Sequence, residues 1–445
     1  MPSNKSESSA SRAVRVPKRP HASDSLPPSS IHFKEGVKEE NESDVGPPKK
    51  KTKTGRPVNK IPKSKLPSKE RIDRYAKSLR KALEDSRLPA DKRKTWKDTT
   101  LDRDILVRYK DTARWAARVI SPFLVVSYSF PLALRISKSD EHGLCELTKE
   151  AEERADEFTR DQALRLYGLM KWRLPQFMEF LPTFQTSTEM KDLFFDILDF
   201  MTTKVMSARS CDVGVLRYES MHYLVPYRDY NAPSPSYGRK HQRGFVNIVT
   251  GRMLCPQNKL DDFDQNPEEF CLAARNGDIE VSAEDLPSYL YDQDDCNPQD
   301  ILKGLLRGPF LVKCFRHVFT GKQSACKTSN GPSDSTRSLA KSNRMACVQS
   351  YHIVYVGILA RFLLNSQKTW KTEDEKFDMT EYHNVLLELF AENKTWAEET
   401  LEWWNRRVFS IKPKGSYDGH ESAFSLIMKR FAGADANHDP ASKPL

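Results

Sequence analysis

Residues 345–364, MACVQSYHIVYVGILARFLL, are the longer of two apolar stretches in the chain, and their setting decides the class of fold. A helix of about 20 residues is long enough to span a membrane. This one contains Gln349, His352 and Arg361, and a charge at the centre of a span costs about 2.5–3.5 kcal/mol. We therefore predict that the stretch forms a helix buried in a protein core.

The second apolar stretch, VISPFLVVSYSFPLAL at 119–134, supports the same interpretation. A membrane span needs about 20 residues, and this stretch is shorter. Pro122 and Pro131 also interrupt it. Its prediction is again a buried core segment, so the sequence predicts no membrane partner.

Helical periodicity extends outward from these stretches in both directions. Apolar residues at three- and four-residue spacing predict a helix over 69–86, closed by Pro89, and another that starts after Thr100. The same spacing and capping residues predict further helices over 146–170, from Ser187 and Thr188 through Met201, from Asn297 to Leu306, over 379–392 and over 394–409. No strong alternating run competes with them, so we predict an all-α, mainly helical, globular body.

Composition divides the chain into four regions. Residues 1–70 contain ten of the 27 prolines and one aromatic residue, Phe33, and predict a long disordered basic N-terminal tail. We expect a helical N-terminal subdomain over 71–145, a helical domain over 146–412 and a flexible C-terminal tail over 413–445. The polar segments 226–244 and 321–342 are predicted loops.

Positive charge is concentrated in the tail. Residues 1–70 hold 16 Lys or Arg and 8 Asp or Glu, which is +8 of the chain's net charge of +10 and leaves +2 for the other 375 residues. This distribution assigns any attraction to polyanions to the tail rather than to the body.

Residues 46–69, GPPKKKTKTGRPVNKIPKSKLPSK, contain nine basic residues, five prolines and no acid. A compact basic cluster in an accessible segment is typical of a nuclear localisation signal. Its members are Lys49, Lys50, Lys51 and Lys53. The alternative is an ordinary solvated linker in a cytoplasmic protein.

The segment Thr54–Pro57 resembles the core of an AT-hook, in which Gly-Arg-Pro lies extended in the narrow minor groove of A·T tracts. Threonine stands where the motif usually has an arginine before the glycine. The candidate DNA contacts are Gly55, Arg56, Pro57 and Lys60. Sequence-independent phosphate binding is the alternative, with a salt slope of about −4 if half of the nine basic residues contact phosphates.

Candidates for catalysis are few. The eight cysteines are scattered, without the spacing of a zinc site, and are predicted to be reduced in an intracellular protein. Asp292, Asp294 and Asp295 lack the glycine and the bidentate glutamate of a calcium loop. His317 and His352 lie on apolar helices and are predicted to be core residues. The sequence therefore predicts no catalytic residue, cofactor or metal site.

Six side chains remain as candidates for a functional surface of the body. Arg239, Lys240 and Arg243 belong to a predicted basic loop that could contact an acidic partner, or carry only solvated charges. Arg307 is a charge in an apolar setting, either an ion-pair member or a ligand contact. Trp403 and Trp404 are neighbours on a helix and point about 100° apart, so at most one of them can face the core squarely.

Four segments of the C-terminal half form a specific combination: GRMLCP at 251–256, GLLRGPFLVKCFRHVFTG at 304–321, YHIVYVGILARFLL at 351–364 and EWWNRRVF at 402–409. Together they resemble an uncharacterised family that is expanded in mushroom-forming basidiomycete fungi. The resemblance covers roughly residues 150–410 and implies a fungal origin and a shared helical domain. It implies no activity, cofactor or catalytic residue.

Together these observations predict a nuclear, non-enzymatic protein whose tail associates weakly with DNA and whose helical body binds an unknown protein or other macromolecule. One alternative is a mobile-element-derived or degenerate nuclease-like enzyme, with carboxylates assembled only by folding. The other is a cytoplasmic scaffold, in which the basic run is only a linker.

Overall fold

The computed structural model describes residues 69–88, 100–137, 144, 152–224, 235, 238–297, 299–327, 338–374 and 377–410. All of them belong to one compact unit that extends from Lys65 to Leu445. Helices predominate throughout these residues, which confirms the predicted all-α body. Residues 1–68 of the predicted tail and the predicted C-terminal tail lie outside the described residues.

The described residues of the first half of the body form six longer α-helices. They are α1 (Lys69–Arg87), α2 (Thr100–Val119), α3 (Val126–Ile136), α4 (Glu157–Arg173), α5 (Pro175–Phe180) and α6 (Thr188–Tyr223). Helix α6 has 36 residues, so it is about 54 Å long.

The second half is built from shorter helices and one small hairpin. The helices are α7 (Ile248–Leu254), α8 (Leu260–Gln265), α9 (Pro267–Asn276), α10 (Pro309–Thr320), α11 (Lys322–Cys326), α12 (Leu339–Ser342), α13 (Ser350–Leu364), α14 (Met379–Glu392) and α15 (Lys394–Phe409). Strands β1 (Glu373–Asp374) and β2 (Phe377–Asp378) pair antiparallel just before α14. Short 3₁₀ turns occur at Leu181–Gln185, Lys240–Gln242, Gly244–Val246, Gln257–Lys259 and Ser288–Leu290.

The N-terminal core is formed by α1 to α5 and the first half of α6. Phe130 of α3 and Phe177 of α5 have their rings 6.2 and 6.0 Å from the ring of Phe194 on α6. All three side chains are buried, and burying one phenylalanine contributes about 1.5–3 kcal/mol. The aromatic cluster therefore fixes α3 and α5 against α6.

The C-terminal core surrounds α13 and includes the second half of α6, α10, α14 and α15. Every residue of α13 from Tyr351 to Leu364 is buried. A helix that is apolar on all sides must be covered on all sides, so its neighbours enclose it. The predicted core helix is confirmed, and it begins at Ser350. No helix in the described part of the chain is long and apolar enough to cross a membrane.

Most of the helices predicted from periodicity are present. The observed bounds of α14 and α15 equal those predicted, and α1 ends one residue later than predicted, at Arg87. Ser187 caps α6 by accepting a hydrogen bond from the Met190 N–H at 3.3 Å. Of the helix predicted over 146–170, residues 146–151 lie outside the described residues. Residues 152 and 153 are helical, and α4 begins at Glu157 after a break at 154–156, where the Asp156 carboxylate accepts the Thr159 N–H.

The prediction of a helix from Asn297 to Leu306 is wrong. Residues 301–306 form turns, and α10 begins at Pro309 instead. The side chain of Asn297 accepts a hydrogen bond from the Gln299 N–H, two residues on, and thereby closes a short turn. Gly304 (φ +76°) and Leu306 (φ +58°) have left-handed backbones that an α-helix cannot continue through.

Three histidines in the described part of the chain are buried, including the two predicted to be core residues. The Nδ1 of His317 lies 2.7 Å from the Tyr223 hydroxyl. His352 accepts the Gln349 N–H at 3.0 Å through its Nδ1. Burial lowers the pKa of His352 to about 3 and that of His383 to about 4. Both rings are therefore neutral in the folded protein at neutral pH.

Because burial lowers the pKa of these histidines, we expect the folded protein to lose stability below neutral pH. The pKa of His383 is about 4 when folded against an ordinary value of 6.5, so the unfolded chain binds more protons between those values. Stability should therefore fall as pH drops from 7 to 5, by about 2 kcal/mol for this one residue. Urea denaturation of the wild type and of H383F at both pH values tests this. An equally large fall in H383F would contradict it.

Candidate binding site

The residues predicted to contact importins and DNA, 49–51, 53, 55–57 and 60, lie outside the described residues. The structure therefore leaves those predictions as they stand. The candidates on the body, in contrast, can all be located.

Lys240 and Arg243, predicted to lie on a surface loop, are buried, which corrects that prediction. The 3₁₀ turn Lys240–Gln242 carries them to the C-terminal end of α13, where helix carbonyls have no partner within the helix. The Lys240 ammonium donates to the Asn365 backbone and side-chain oxygens at 3.0 and 2.7 Å. The Arg243 guanidinium donates to the Leu363 carbonyl at 2.7 Å.

These two cations therefore stabilise the end of a helix rather than bind a partner. Burial, together with the nearby positive charge of Arg217, lowers the pKa of Arg243 to about 10. Its hydrogen bonds to carbonyls compensate part of the desolvation cost. Only Arg239 of the predicted basic triplet is exposed.

Arg307 and the two tryptophans form one contact region. Arg307 lies 4.0 Å from the Asp295 carboxylate and 5.8 Å from the ring of Trp403. Trp404 is fully buried and its indole N–H donates to the Leu306 carbonyl at 2.9 Å, whereas Trp403 is only partly buried. All three side chains therefore pack α15 against the turn before α10, with Trp403 at its edge.

A buried ion pair connects three helices. The Arg118 guanidinium of α2 donates to both oxygens of the Asp212 carboxylate of α6 at 2.8 Å. The Tyr355 hydroxyl of α13 donates to the same carboxylate at 2.7 Å. The bidentate geometry and the third donor satisfy the buried carboxylate. These bonds join α2, α6 and α13, so we assign the network a structural role.

A cleft of about 260 Å³ lies between α1, α2 and the α4–α5 junction. Its polar lining consists of Tyr75, Arg108, Tyr109, Arg173 and Gln176. Its apolar lining consists of Ile105, Leu174, Pro175 and Phe177. No acidic side chain is among these nine described lining residues. No sequence pattern indicates this cleft, because its lining residues come from positions 75 to 177.

The two arginines of the cleft differ in their surroundings. Arg108 is exposed on α2. Arg173 is partly buried, lies 5.6 Å from the ring of Trp115 and 5.0 Å from that of Trp172, and donates to the Asn343 side-chain oxygen at 2.8 Å. Desolvation lowers the pKa of Arg173, and Asp111 opposes the shift only in part. Within the described residues neither arginine has a salt bridge.

The tyrosine hydroxyls of the cleft are bonded to each other. Tyr75 and Tyr109 share one hydrogen bond, in which either can be the donor. Burial raises the pKa of both, and of Tyr109 well above its usual value, so both hydroxyls keep their protons near neutral pH. Only one of the two hydroxyl protons takes part in this hydrogen bond, so the other O–H can donate to another acceptor. The cleft thus combines two cations with a spare donor.

No group of three or more His, Cys, Asp or Glu side chains able to hold a metal ion is present among the described residues. The seven cysteines that can be located are free thiols. Burial raises the pKa of Cys255 to about 12 and that of Cys271 to about 11, so both stay protonated and unreactive at neutral pH.

Residues 203–409 match the model of a family of unknown function, DUF6698. The match starts within α6 and ends with α15, so it contains most of the C-terminal core and none of the cleft residues. The predicted resemblance to an uncharacterised family is therefore confirmed for residues 203–409. Comparison with curated proteins and with solved structures finds no match.

Proposed function

We propose that this is a nuclear, non-enzymatic interaction protein whose N-terminal basic segment contacts DNA while the helical body binds another macromolecule. The observation that carries the proposal is the division of charge, +8 in residues 1–70 and +2 in the other 375. Counterion release from phosphates needs a local excess of Lys and Arg, which the N-terminal segment supplies.

The surface of the body supports a role in binding macromolecules. Val215 and Tyr218, one turn apart on α6 and within the family match, are 60% and 64% exposed. Trp172 on α4 is 61% exposed. Tyrosine and tryptophan are enriched in protein interfaces because they bury a large apolar area while keeping a polar atom available.

The DNA-binding part is tested with the full chain and with a chain that begins at Lys65, which keeps α1 intact because that helix starts at Lys69. Both are titrated against AT-rich and GC-rich duplexes over a salt series. We expect the full chain alone to bind, with log affinity falling against log salt with a slope of about −4. Equal binding by the shorter chain, or cleavage of the duplex by it, would refute the proposed division of labour and favour the nuclease-like alternative.

Substitutions in the basic segment separate import from DNA contact. K49Q, K50Q, K51Q and K53Q together should exclude a fluorescently tagged protein from the nucleus. R56A alone should leave import intact and remove any preference for AT-rich DNA. If the tagged wild type is itself excluded from the nucleus, the cytoplasmic scaffold is the better description.

We also propose that the matched family is the one expanded in mushroom-forming basidiomycetes. The support is the combination of the four segments in 251–409, among them GLLRGPFLVKCFRHVFTG at 304–321. A survey of fungal genomes for all four segments in this order tests it. An even distribution over fungi outside the basidiomycetes contradicts it.

A further inference from the structure

We propose that the cleft between α1, α2 and the α4–α5 junction is a binding site for a carboxylate attached to an apolar body. This proposal is independent of the proposed function, because the cleft lies outside both the basic segment and the family match. It rests on the residues that line the cleft and on the hydrogen-bond donors that they leave available.

The polar lining is rich in hydrogen-bond donors and contains no anionic acceptor. The guanidinium groups of Arg108 and Arg173 can only donate, and the Tyr75–Tyr109 pair has one O–H left over. The Nε of Arg173 is buried with no hydrogen-bond partner among the described residues. A buried donor without an acceptor costs about 1–3 kcal/mol, so the described residues leave Arg173 incompletely hydrogen-bonded.

No salt bridge within the described residues neutralises the two arginines of the cleft. Neither arginine forms a salt bridge with a described acidic residue, although arginines in partly buried positions are usually paired. Nothing in the described lining would repel an anion, since none of its side chains is acidic. An anion therefore finds Arg173 already held in place by Trp115, Trp172 and the Asn343 side chain, and this pre-organisation lowers the cost of binding.

The shape and the apolar walls define the rest of the ligand. A volume of about 260 Å³ accommodates a group of amino-acid or small aromatic size. Ile105, Leu174 and Phe177 provide an apolar wall beside the arginines. Carboxylate is planar and fits the fork of a guanidinium, which favours it over a compact hydrated anion. The ligand is a free aliphatic or aromatic acid, or an acidic residue beside an apolar one in a partner peptide.

The first test uses the full chain with phenylacetate as the probe and phenylacetamide as its neutral isostere. Thermal unfolding of the body reports only ligands that bind the folded state, and titration calorimetry gives the affinity. We expect phenylacetate, but not phenylacetamide, to raise the Tm. Equal effects of the two probes, or no effect of either, overturns the proposal. Tighter binding of inorganic phosphate than of phenylacetate also overturns it, because the site would then select another anion.

Variants of single arginines link the effect to the cleft. R108Q removes an exposed cleft cation and should weaken phenylacetate binding about tenfold or more, as expected for a charged hydrogen bond. R74Q is the matched control, since Arg74 is exposed on α1 and does not line the cleft. It should change affinity by less than about twofold. Equal losses in the two variants would mean that only overall charge matters, and the proposal would fail.

R173Q tests the second cation, but its side chain packs between two tryptophans and the variant is informative only if its Tm without ligand is close to the wild-type value. R108Q does not have this problem.

An acetylated and amidated Phe-Glu dipeptide distinguishes the two ligand sources. Binding of the dipeptide tighter than that of phenylacetate indicates a partner peptide, and weaker binding indicates a free acid. Both outcomes retain the carboxylate site.

Discussion

Gly308→Ala is expected to destabilise the folded body by more than about 4 kcal/mol, which is at the upper end of what a single substitution does. A Cβ at this position would lie 2.1 Å from the backbone oxygen of Tyr289 and 3.0 Å from that of Tyr291. Both atoms belong to the main chain, so no side-chain rotation relieves the overlap. The Gly308 N–H also donates to the Leu290 carbonyl at 3.0 Å, which holds the two segments together.

The effect of this substitution is steric rather than conformational. Gly308 has φ −52° and ψ +132°, which alanine adopts without strain. Gly214→Ala is the matched control, because a Cβ on this exposed helical glycine meets nothing within 4 Å. It should stabilise the protein by about 0.5–1 kcal/mol through the higher helix propensity of alanine. Urea denaturation followed by circular dichroism measures both, and a G308A midpoint close to the wild-type value would refute the close packing at 289–291.

The role of Gly308 could not be predicted from the sequence alone. Periodicity predicted a helix that Gly308 and Pro309 interrupt, whereas the two residues begin α10, with the proline at its first position. The reason for the glycine lies in Tyr289 and Tyr291, which are distant in sequence. Local pattern cannot reveal a close approach between remote backbone segments.

Helices whose signals are local were predicted well. For α14, the Asp378 carboxylate accepts the Glu381 N–H at 3.2 Å, and for α15 the Asn393 side chain accepts the Trp396 N–H at 3.0 Å. Each cap stands next to the helix that it starts, so a short window of sequence contains the whole signal. The same holds for Ser187 and α6.

The environment of Lys240 and Arg243 was predicted wrongly, for a physical reason. Lys240 and Arg243 have the composition of a solvated loop, and only the position of the last turn of α13 makes them buried caps. The cleft needs α1, α2 and α5 to be adjacent, and no periodicity in any one helix encodes that. Whether such a charged side chain is exposed or buried therefore depends on neighbours that are distant in sequence, and only the folded structure shows them.

Asp212→Asn is expected to destabilise the protein by about 3–5 kcal/mol, because it leaves a buried guanidinium without its charged partner. The side chains of Arg118 and Asp212 are 3% and 10% exposed, so water cannot replace the lost interaction. The Tyr355 hydroxyl loses a charged acceptor as well. The asparagine has nearly the same shape, so the loss reports the charge rather than a cavity.

The matched control is Asp196→Asn, which breaks a salt bridge of the same residue types on the surface. The side chains of Arg87 and Asp196 are 60% and 41% exposed, and such pairs contribute less than about 1 kcal/mol. Thermal or urea unfolding of both variants therefore compares one chemical change in two environments. Equal losses would contradict the burial of the Arg118–Asp212 pair.

A triple variant, with Arg118→Met, Asp212→Leu and Tyr355→Phe, separates the cost of breaking the network from its net contribution. All three polar groups are removed together, so none is left buried and unsatisfied. We expect stability within about 2 kcal/mol of the wild type, since apolar replacement of a buried ion pair is often neutral or stabilising. If the triple variant is instead as unstable as D212N, the network contributes net stability at the junction of α2, α6 and α13. If it is stable but gives broad, poorly dispersed NMR spectra, the ion pair acts mainly to select one packing of these three helices.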